Sequence, residues 1–527
     1  MQMGREILYT DYPKITSENV LDVLRDVFAK HTQNATRMQF LIDYDKGKQP
    51  LQRKKMTRTD IDCQCVDNVA NEATEFWCGY SFGSPITLVQ NGDGKEEWKS
   101  GAISELNKNY EMAKIRTKTQ EYGRFVVICG ICNVLIDVNT DWKEGKSFFT
   151  YDVLDPRTSF VVRSSYYTDH RVMLGVTYRH DKLTGNNYFT CWTKDRRYEI
   201  VNLQEISNGD ITKREAWQHS ERSGEMNTLD VVPMVEYFRS YDRMGVFERQ
   251  ISEMDNLNLM ISDFSNDVDQ NTQAIWHGND IEFPEIIIKN EDGTETRKIS
   301  KPKTNEWVMT YTSADGKQPF INPLSIDYDY SGMLNNITTR RQLILQKCNV
   351  PQRNESSGGS TGVAMSDATG WSQAETAAAK QQMLLDSSKL EEVEIVLAAI
   401  RESSFVPQDS DLRKLTIADV EPNIKRQKTY EMTTKVNAMA TLLSHGIRGD
   451  YVLNGISFFD DPNEVWEGSK ALIEKYQSSI FNKTETSASN AGEGGEGEKQ
   501  PDSERIMGDL SDQIENSPMI DKSRVDK

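Results

Sequence analysis

The sequence predicts an α+β fold in which a strand-rich region is followed by unusually long helices. Strand-like segments separated by turn clusters fill residues 148–238. From residue 243 the apolar residues adopt the three- and four-residue spacing of a helix, and this pattern continues to about residue 276. Another long helix, rich in alanine and leucine, begins near residue 372.

The first region, residues 1–242, is expected to be one α+β domain. Thr16 is a candidate N-cap for a first helix. Further helices are predicted over residues 60–78 and 102–121, and a short strand is predicted at residues 86–89 between them.

The apolar run at residues 125–136 is interpreted as a buried strand. It contains twelve residues, whereas a membrane-spanning helix needs roughly 20. No apolar signal segment opens the chain, and the seven cysteines follow no regular spacing. We therefore expect a soluble protein that is made in a reducing cytoplasm and has no disulfide bonds.

The helix over residues 243–276 is expected to have an apolar face and an acidic face. Seven apolar side chains recur at helical spacing, namely Phe247, Ile251, Met254, Leu257, Ile261, Phe264 and Val268. Four carboxylates lie roughly opposite them, at Glu248, Asp255, Asp263 and Asp267. Such a set can be an active-site cluster, a solvated face or the lining of a channel, and in a monomer the solvated face is favoured.

A small β module and a mobile loop are predicted in the second half. Strand-like segments and turn dipeptides fill residues 278–326, and a second helix follows over about 328–349. The loop ends at Trp371, and the capping-box pattern of Ser372 and Glu375 then begins the long helix. Residues 412–420 are interpreted as a strand that returns to a sheet.

The C-terminal part is predicted to be helical and then disordered. One helix is expected over residues 429–444, and a second begins with Asp461 as N-cap and Pro462 at its first position. The acidic tail at residues 483–527 has the composition of a disordered segment.

The overall charge excludes a protein that coats nucleic acid through basic residues. The chain has 527 residues, with 62 lysines and arginines against 81 aspartates and glutamates, and a net charge of −19. A protein that binds DNA by neutralising phosphates needs the opposite balance. A protein that DNA must pass without adhering is compatible with this charge.

Three short motifs resemble catalytic or metal-binding patterns but lack the required context. Ser81 lies in a Gly-x-Ser-x-Gly sequence, yet the hydrolase elbow needs a strand before the serine and a helix after it, the reverse of the predicted order. Gly145-Lys146-Ser147 lacks the P-loop glycine at position 140. The cysteines at 63, 65, 129 and 132 are expected to be buried thiols rather than zinc ligands. No catalytic residue, metal or cofactor is therefore predicted.

Five stretches in a fixed order resemble the portal proteins of tailed bacteriophages, specifically the siphophage-type portal family. They are residues 41–48 with the basic 53–55, 67–69 running into the turn at 79–86 (GYSFGSPI), the turn at 155–157 (DPR), 232–238 with Phe247, Glu248, Ser262 and Asp263, and 360–365 (STGVAM). The resemblance is colinear over about residues 15–480.

The resemblance implies a portal-type protomer in a ring, with a long kinked helix and a helical crown. Its expected parts are an α+β wing (1–242, with a return strand in 405–425), two stem helices (243–276 and 328–350), a small β clip (277–327), a tunnel loop (351–371), the long helix (372–404), the crown (426–482) and the acidic tail (483–527).

The resemblance also implies a function without catalysis. About twelve copies would form a closed ring at one capsid vertex, assembled in the host bacterial cytoplasm and retained in the virion. Double-stranded DNA would pass through the channel during packaging and ejection. The implied partners are the terminase large subunit, the major capsid and scaffolding proteins and a head-completion adaptor, with no membrane.

Three groups of candidate residues follow. The four carboxylates named above would line the channel, where like charge keeps DNA from adhering. The tunnel loop would contact DNA through Arg353, Gly358, Gly359, Gly362, Val363, Met365 and Trp371. The clip would bind partner proteins through Ile281, Phe283, Ile287, Trp307, Met309 and Tyr311.

Two alternatives stay open on the residues alone. One is a different ring-forming connector or tail protein that binds partners but not DNA. The other is a hydrolase that uses Ser81 or a metal held by carboxylates.

Overall fold

The structure is a computed structural model that confirms the mixed α+β fold. It describes residues 4–51, 60–91, 96–166, 170–205, 214–272, 275–279, 285–290, 293, 295–299, 320–324, 329–352, 370–424, 426, 432–447, 449–456, 465, 466, 468–470 and 472. The chain divides into two compact units, residues 1–432 and 433–527.

The first unit contains seven α-helices within the described residues. They are α1 (Val20–Asp45), α2 (Val69–Phe82), α3 (Glu97–Met112), α4 (Ile115–Cys129), α5 (Ile251–Thr272), α6 (Tyr330–Lys347) and α7 (Trp371–Glu402). Its strands are β1 (Leu8–Thr10), β2 (Thr87–Gln90), β3 (Ile131–Val138), β4 (Phe149–Leu154), β5 (Ser159–Ser164), β6 (Val172–His180), β7 (Asn187–Trp192), β8 (Arg196–Glu205), β9 (Arg214–His219), β10 (Glu225–Met226), β11 (Met234–Phe238), β12 (Ile275–Asn279), β13 (Glu285–Lys289), β14 (Glu295–Ile299), β15 (Phe320–Leu324) and β16 (Val420–Asn423).

The strands of the described residues form one large sheet and four small ones. The large sheet has the order β1-β5-β6-β7-β8-β10, with β9 also paired to β8. A three-stranded sheet has the order β11-β3-β4, and β12 pairs with β15, β13 with β14 and β16 with β2. The β5 to β9 pairs are antiparallel, so alternate residues face α1 and the opposite side.

Two large hydrophobic cores and a small third cluster around Trp192 and Met234 stabilise the first unit. The N-terminal half of α1 packs its apolar face, including Val20 and Leu24, on the large sheet around Phe189. The larger core gathers α2, α4, α7, β3 and β11, where Trp77 and Tyr237 are fully buried. Helix α5 packs on this core through Met254 and Leu257, and Phe247, which precedes the helix, is buried in the same core.

The apolar run at residues 125–136 is only half a strand, which corrects the sequence prediction. Residues up to Cys129 complete α4, Gly130 ends the helix at a φ of 80°, and β3 begins at Ile131. Both halves are apolar because both are buried. A periodicity argument cannot separate a buried helix end from a buried strand, and only the left-handed glycine marks the change.

The predicted helix at residues 60–78 is displaced in the sequence. Asn68 caps α2 by accepting a hydrogen bond from the Asn71 backbone N–H, and the helix continues through Gly79 to Phe82. The predicted helix at 102–121 is in fact two helices, α3 and α4, separated at Lys114, which has a φ of 62°.

The helix predicted over residues 243–276 is shorter. A 3₁₀ turn at Glu248–Gln250 precedes α5, and Ile275 already pairs with β15. Strand pairing overrides helix periodicity at this end, which leaves 22 residues or about 33 Å of helix.

Two expected features at the ends of α7 also need correction. Gly370 is the N-terminal cap of α7, and Ser372 lies inside the helix, so there is no capping box at Ser372. The segment at residues 412–420 is largely 3₁₀ turns, and the strand that returns to a sheet is β16, which pairs with β2.

The second unit contains two described helices, α8 (Met432–Ser444) and α9 (Gly449–Ile456). Gly446 follows the end of α8 with a φ of 80°. Helix α9 was not predicted from the sequence. Its first residue, Gly449, packs so closely on the ring of Trp466 that a Cβ there would overlap the ring. The helix expected from Asp461 and Pro462 and the tail at 483–527 lie outside the described residues.

Candidate channel and docking surfaces

The four sides of helix α5 have different surroundings. Its apolar side packs into the larger core. A second side faces α6, where the Phe264 and Tyr330 rings lie 5.9 Å apart. A third side is covered by an extended segment, residues 60–68, which we call the strap. The fourth side is exposed at Ser252, Asn256 and Gln270.

Side chains of α5 bind the backbone of the strap, as the backbone of a neighbouring strand would do in a sheet. Three polar side chains, which we call the polar ladder, accept hydrogen bonds from alternate backbone N–H groups of the strap: Asn266 from Cys63 at 2.7 Å, Ser262 from Cys65 at 3.0 Å and Asn258 from Asp67 at 2.9 Å. All three ladder residues are buried.

The geometry of the ladder follows from two repeat lengths. Four residues of α-helix rise about 6 Å, and two residues of extended chain advance about 6.6 Å. Side chains four apart on α5 therefore match every second N–H of the strap. The spacing of Asn258, Ser262 and Asn266 was visible in the sequence, but its partner was not.

Glu248 does not belong to an exposed acidic face, which corrects the channel-lining prediction for this residue. Its carboxylate is buried, forms an ion pair with Arg5 and accepts hydrogen bonds from the backbone N–H groups of Gly4 at 2.8 Å and Gly245 at 3.1 Å. Burial lowers the pKa of Arg5, while the charge of Glu248 opposes that shift. Glu248 therefore fixes the N-terminal segment at the start of α5.

Asp255 is half-buried and engaged within the protomer. The hydroxyl of Tyr44 on α1 donates a hydrogen bond of 2.8 Å to its carboxylate. Burial raises the pKa of Asp255, and the hydrogen bond from Tyr44 only partly offsets this rise. Its charge is therefore not freely presented to solvent.

Asp263 and Asp267 lie on the fourth side of α5. At 100° per residue they share this side with the exposed Asn256 and Gln270. Both carboxylates are half-buried. Of the four predicted lining residues, these two lie on the side of α5 that carries exposed side chains.

Another carboxylate of α5 was missed by the sequence analysis. Glu253 faces α6, where Arg340 and Lys347 lie 3.8 and 3.7 Å from its carboxylate oxygens. These groups line an open groove of about 320 Å³ with Asn336 and Leu343. The spacing of Arg340 and Lys347 on α6 was the available signal, but it required knowing that the two helices pack together.

Trp371 is an anchor of α7 and not part of a free loop. Its ring packs edge-on against Phe76 at 5.9 Å and Tyr80 at 5.7 Å, both on α2. A Cβ on Gly370 would lie 4.0 Å from the Cα of Pro351, so the two ends of the expected tunnel loop are adjacent. The loop residues Arg353, Gly358, Gly359, Gly362, Val363 and Met365 lie outside the described residues.

The β module is described in two strand pairs. Strand β13 carries Ile287 and Ile288, whose side chains are 52% and 43% exposed on opposite faces of the β13–β14 pair. Among the described residues, each face of this ribbon therefore carries an exposed isoleucine. The other predicted clip residues, Ile281, Phe283, Trp307, Met309 and Tyr311, lie outside the described residues.

The local structure around Ser81 and around Gly145 does not match the catalytic motifs. Ser81 is buried inside α2, and its hydroxyl donates to the Gln381 side chain at 3.4 Å, so there is no strand-to-helix elbow. Residues 145–147 lie in the turn between β3 and β4 rather than at the start of a helix. A P-loop needs that helix N-terminus to bind phosphate.

All seven cysteines lie in the described residues and are free thiols. Cys63 and Cys65 are half-buried on the strap, and the other five are buried. Burial raises the pKa of Cys129 to about 12, which makes it a poor nucleophile and metal ligand. Within the described ranges, no group of three or more metal-binding side chains converges.

The sequence was compared with protein families and with curated proteins. Residues 24–479 match the family described as phage portal protein, SPP1 Gp6-like. The chain belongs to this phage portal protein family. A search of curated proteins finds no match.

Portal proteins of this family are structural rather than enzymatic, and the family implies a location at the capsid vertex of the virion. The match spans both units of the chain, from α1 to beyond α9. In the part of the portal chain that the structure describes, no helix has the length and apolarity needed to cross a bilayer.

Proposed function

We propose that about twelve copies of the chain form a closed ring through which double-stranded DNA enters and leaves the capsid. The observation that carries this proposal is the family match over residues 24–479. The ring would be assembled in the host bacterial cytoplasm, in contact with the scaffolding and major capsid proteins.

The exposed side of α5 is proposed as the channel surface. Asp263 and Asp267 share it with uncharged polar side chains, and α5 carries no basic residue along its length. Repeated around a ring, carboxylates at these positions repel phosphates over a Debye length of about 8–10 Å. DNA can then slide past without releasing counterions to form tight contacts.

The β13–β14 ribbon is proposed as the docking site for the terminase large subunit and later for the head-completion adaptor. A two-stranded ribbon is only marginally stable alone in water. Its exposed isoleucines and strand edges suit a partner that adds a strand or covers a face. The loop between Pro351 and Gly370 is proposed to approach DNA in the channel.

Electron microscopy of the purified chain tests the ring directly. A ring with a central hole wide enough for duplex DNA is expected. A ring without such a hole would favour a different connector, and a monomer with hydrolytic activity that is lost in Ser81→Ala would favour the enzyme.

A charge reversal tests the channel surface. The double variant Asp263→Lys/Asp267→Lys should still assemble but package less DNA, because lysines at these positions bind phosphates. Glu394→Lys, which changes an exposed carboxylate on α7, is the matched control. Normal packaging by the double variant at physiological salt would exclude this side of α5 as the lining.

A single substitution tests the ribbon. Ile287→Asp should weaken terminase capture in a pull-down, whereas Leu183→Asp, at a turn residue that is 96% exposed, should not. Equal capture by both variants would remove the ribbon from the docking proposal.

A further inference from the structure

A buried ion pair lies in the second half of α7, inside the larger hydrophobic core. Lys389 and Glu392 are about one turn apart on the helix, and their side chains are 2% and 0% exposed. The ammonium group of Lys389 donates to the Glu392 carboxylate. It also lies 3.9 Å from the centre of the Tyr110 ring on α3, where the negative face of the ring attracts a cation. No channel or docking role proposed above involves this pair.

Two tyrosine hydroxyls complete the hydrogen bonding of Glu392. Tyr151 on β4 donates to Oε2 of the carboxylate at 2.9 Å, and Tyr237 on β11 donates to the same oxygen. The carboxylate therefore binds two strands, while its lysine partner contacts α3. We call these five residues, Tyr110, Tyr151, Tyr237, Lys389 and Glu392, the core lock.

Stability alone does not account for the core lock. Burying two charges is costly, because the loss of their hydration offsets most of their mutual attraction. Apolar side chains of similar volume in the same place are often equally stable or more stable. A polar group in an apolar interface can instead select one alignment of the packed elements over others.

The apolar residues of α7 do not define its axial position by themselves. Buried apolar side chains recur at the three- and four-residue intervals of a helix, at Leu385, Val393, Val396 and Ile400. Sliding α7 by four residues brings Ile400 to the site of Val396 and Val396 to the site of Glu392, so apolar contacts are largely retained. The ion pair moves as a unit in such a slide, because both of its residues belong to α7. The tyrosines do not move with it.

We propose that the core lock sets the axial register of α7 on the core. In the observed register Glu392 accepts both tyrosine hydroxyls and Lys389 meets the Tyr110 ring. About one turn away, the hydroxyls and the carboxylate would be buried without these partners, which is the unfavourable state for buried polar groups. The register also positions Trp371 at the start of α7, so the core lock acts on the aromatic contact that Trp371 makes with α2.

Distances between spin labels, measured by pulsed electron paramagnetic resonance on the full chain, test the core lock. The labels are attached to unnatural amino acids, because the chain has seven native thiols. One label replaces Lys380 on the exposed side of α7, and a reference label replaces Leu183 or Lys108, both exposed, in separate samples. Labelled chains are diluted with unlabelled chains, so that each assembly carries at most one labelled copy. Wild type should give one distance for each label pair.

An apolar variant removes the core lock while keeping the core filled. It is Lys389→Met/Glu392→Leu combined with Tyr151→Phe/Tyr237→Phe. The variant should show a second distance for at least one label pair, displaced by up to about 6 Å, the rise of four helical residues. Wild-type distances alone in this variant would overturn the core lock.

Two other variants complete the test. Tyr151→Phe/Tyr237→Phe keeps the ion pair and decides the question if the apolar variant does not fold: a second distance is expected, and wild-type distances alone would overturn the proposal. Leu385→Met/Val396→Ile changes only apolar packing and should keep one distance. A second distance in this control would show that apolar packing sets the register, which would also overturn the proposal. All distances are measured within one chain, so the result does not depend on whether the chain forms the proposed ring.

Discussion

Replacing Glu248 by glutamine should destabilise the protomer rather than alter DNA passage. The side chain of Arg5 is 1% exposed and that of Glu248 7% exposed, so the substitution leaves a buried guanidinium without its counter-charge. Removing one partner of a buried ion pair costs about 3–5 kcal/mol. Glutamine has a single carbonyl oxygen, whereas Gly4 and Gly245 donate to different carboxylate oxygens of Glu248, so one of these backbone N–H groups also loses its acceptor. The expected loss is therefore at least about 3 kcal/mol.

Thermal unfolding provides the assay. A loss of this size corresponds to a fall of roughly 6–12 °C in the melting temperature of a domain of moderate size. Asp267→Asn, which changes a carboxylate on the exposed side of α5, should shift unfolding by no more than about 0.5 kcal/mol. The double variant Arg5→Gln/Glu248→Gln should recover part of the loss, because no uncompensated charge remains. If Glu248→Gln melts like wild type while DNA packaging changes, Glu248 faces the channel and the buried pair is not its role.

Three further tests concern the packing and the pH dependence. Replacing the polar ladder of α5 by alanine should release the strap and cost about 1–3 kcal/mol for each strap N–H left buried and unpaired, measured by denaturant unfolding against Asn256→Ala. Burial lowers the pKa of His31 to about 4, so the neutral ring is favoured in the folded state. The free energy of unfolding should therefore fall by about 2 kcal/mol between pH 7 and pH 5. A His31→Gln variant should show a smaller fall over the same interval. Gly123→Ala places a Cβ 2.4 Å from the Phe82 ring and should lower the free energy of unfolding by about 1–3 kcal/mol. Gly101→Ala, whose Cβ would have nothing within 4 Å, should instead stabilise α3 by about 0.5–1 kcal/mol. Equal melting temperatures for the two variants would contradict both expectations.

The sequence predicted the kinds of element better than their ends. The strands of residues 148–238 and the helix α6 lie close to where periodicity placed them. The errors occur where burial continues across a change of structure, as at Gly130, or where one pattern hides two elements, as at Lys114. These positions are set by left-handed backbone conformations, which periodicity does not report.

The candidate channel residues were predicted from the periodicity of one helix, which could not show what surrounds each side of it. Asp255 accepts a hydrogen bond from Tyr44, a residue 211 positions away in the sequence. Glu248 forms an ion pair with Arg5 near the N-terminus. Neither partner is detectable from local spacing. The same limitation hid Glu253, because its cationic partners belong to α6.

These assignments change how the acidity of α5 should be understood. The helix has five carboxylates and no basic residue, which suggests one uniform acidic surface. In the fold, Glu253 faces the cations of α6, Asp255 binds Tyr44 and Asp269 accepts a hydrogen bond from the Cys63 thiol at 3.1 Å. Three of the five therefore contact neighbouring elements, and Asp263 and Asp267 lie on the side of α5 that carries the exposed Ser252, Asn256 and Gln270. A variant that reverses all acidic positions at once would mix loss of packing with loss of lumen charge. The proposed channel charge is therefore tested at Asp263 and Asp267, which lie on the side of α5 that carries Ser252, Asn256 and Gln270.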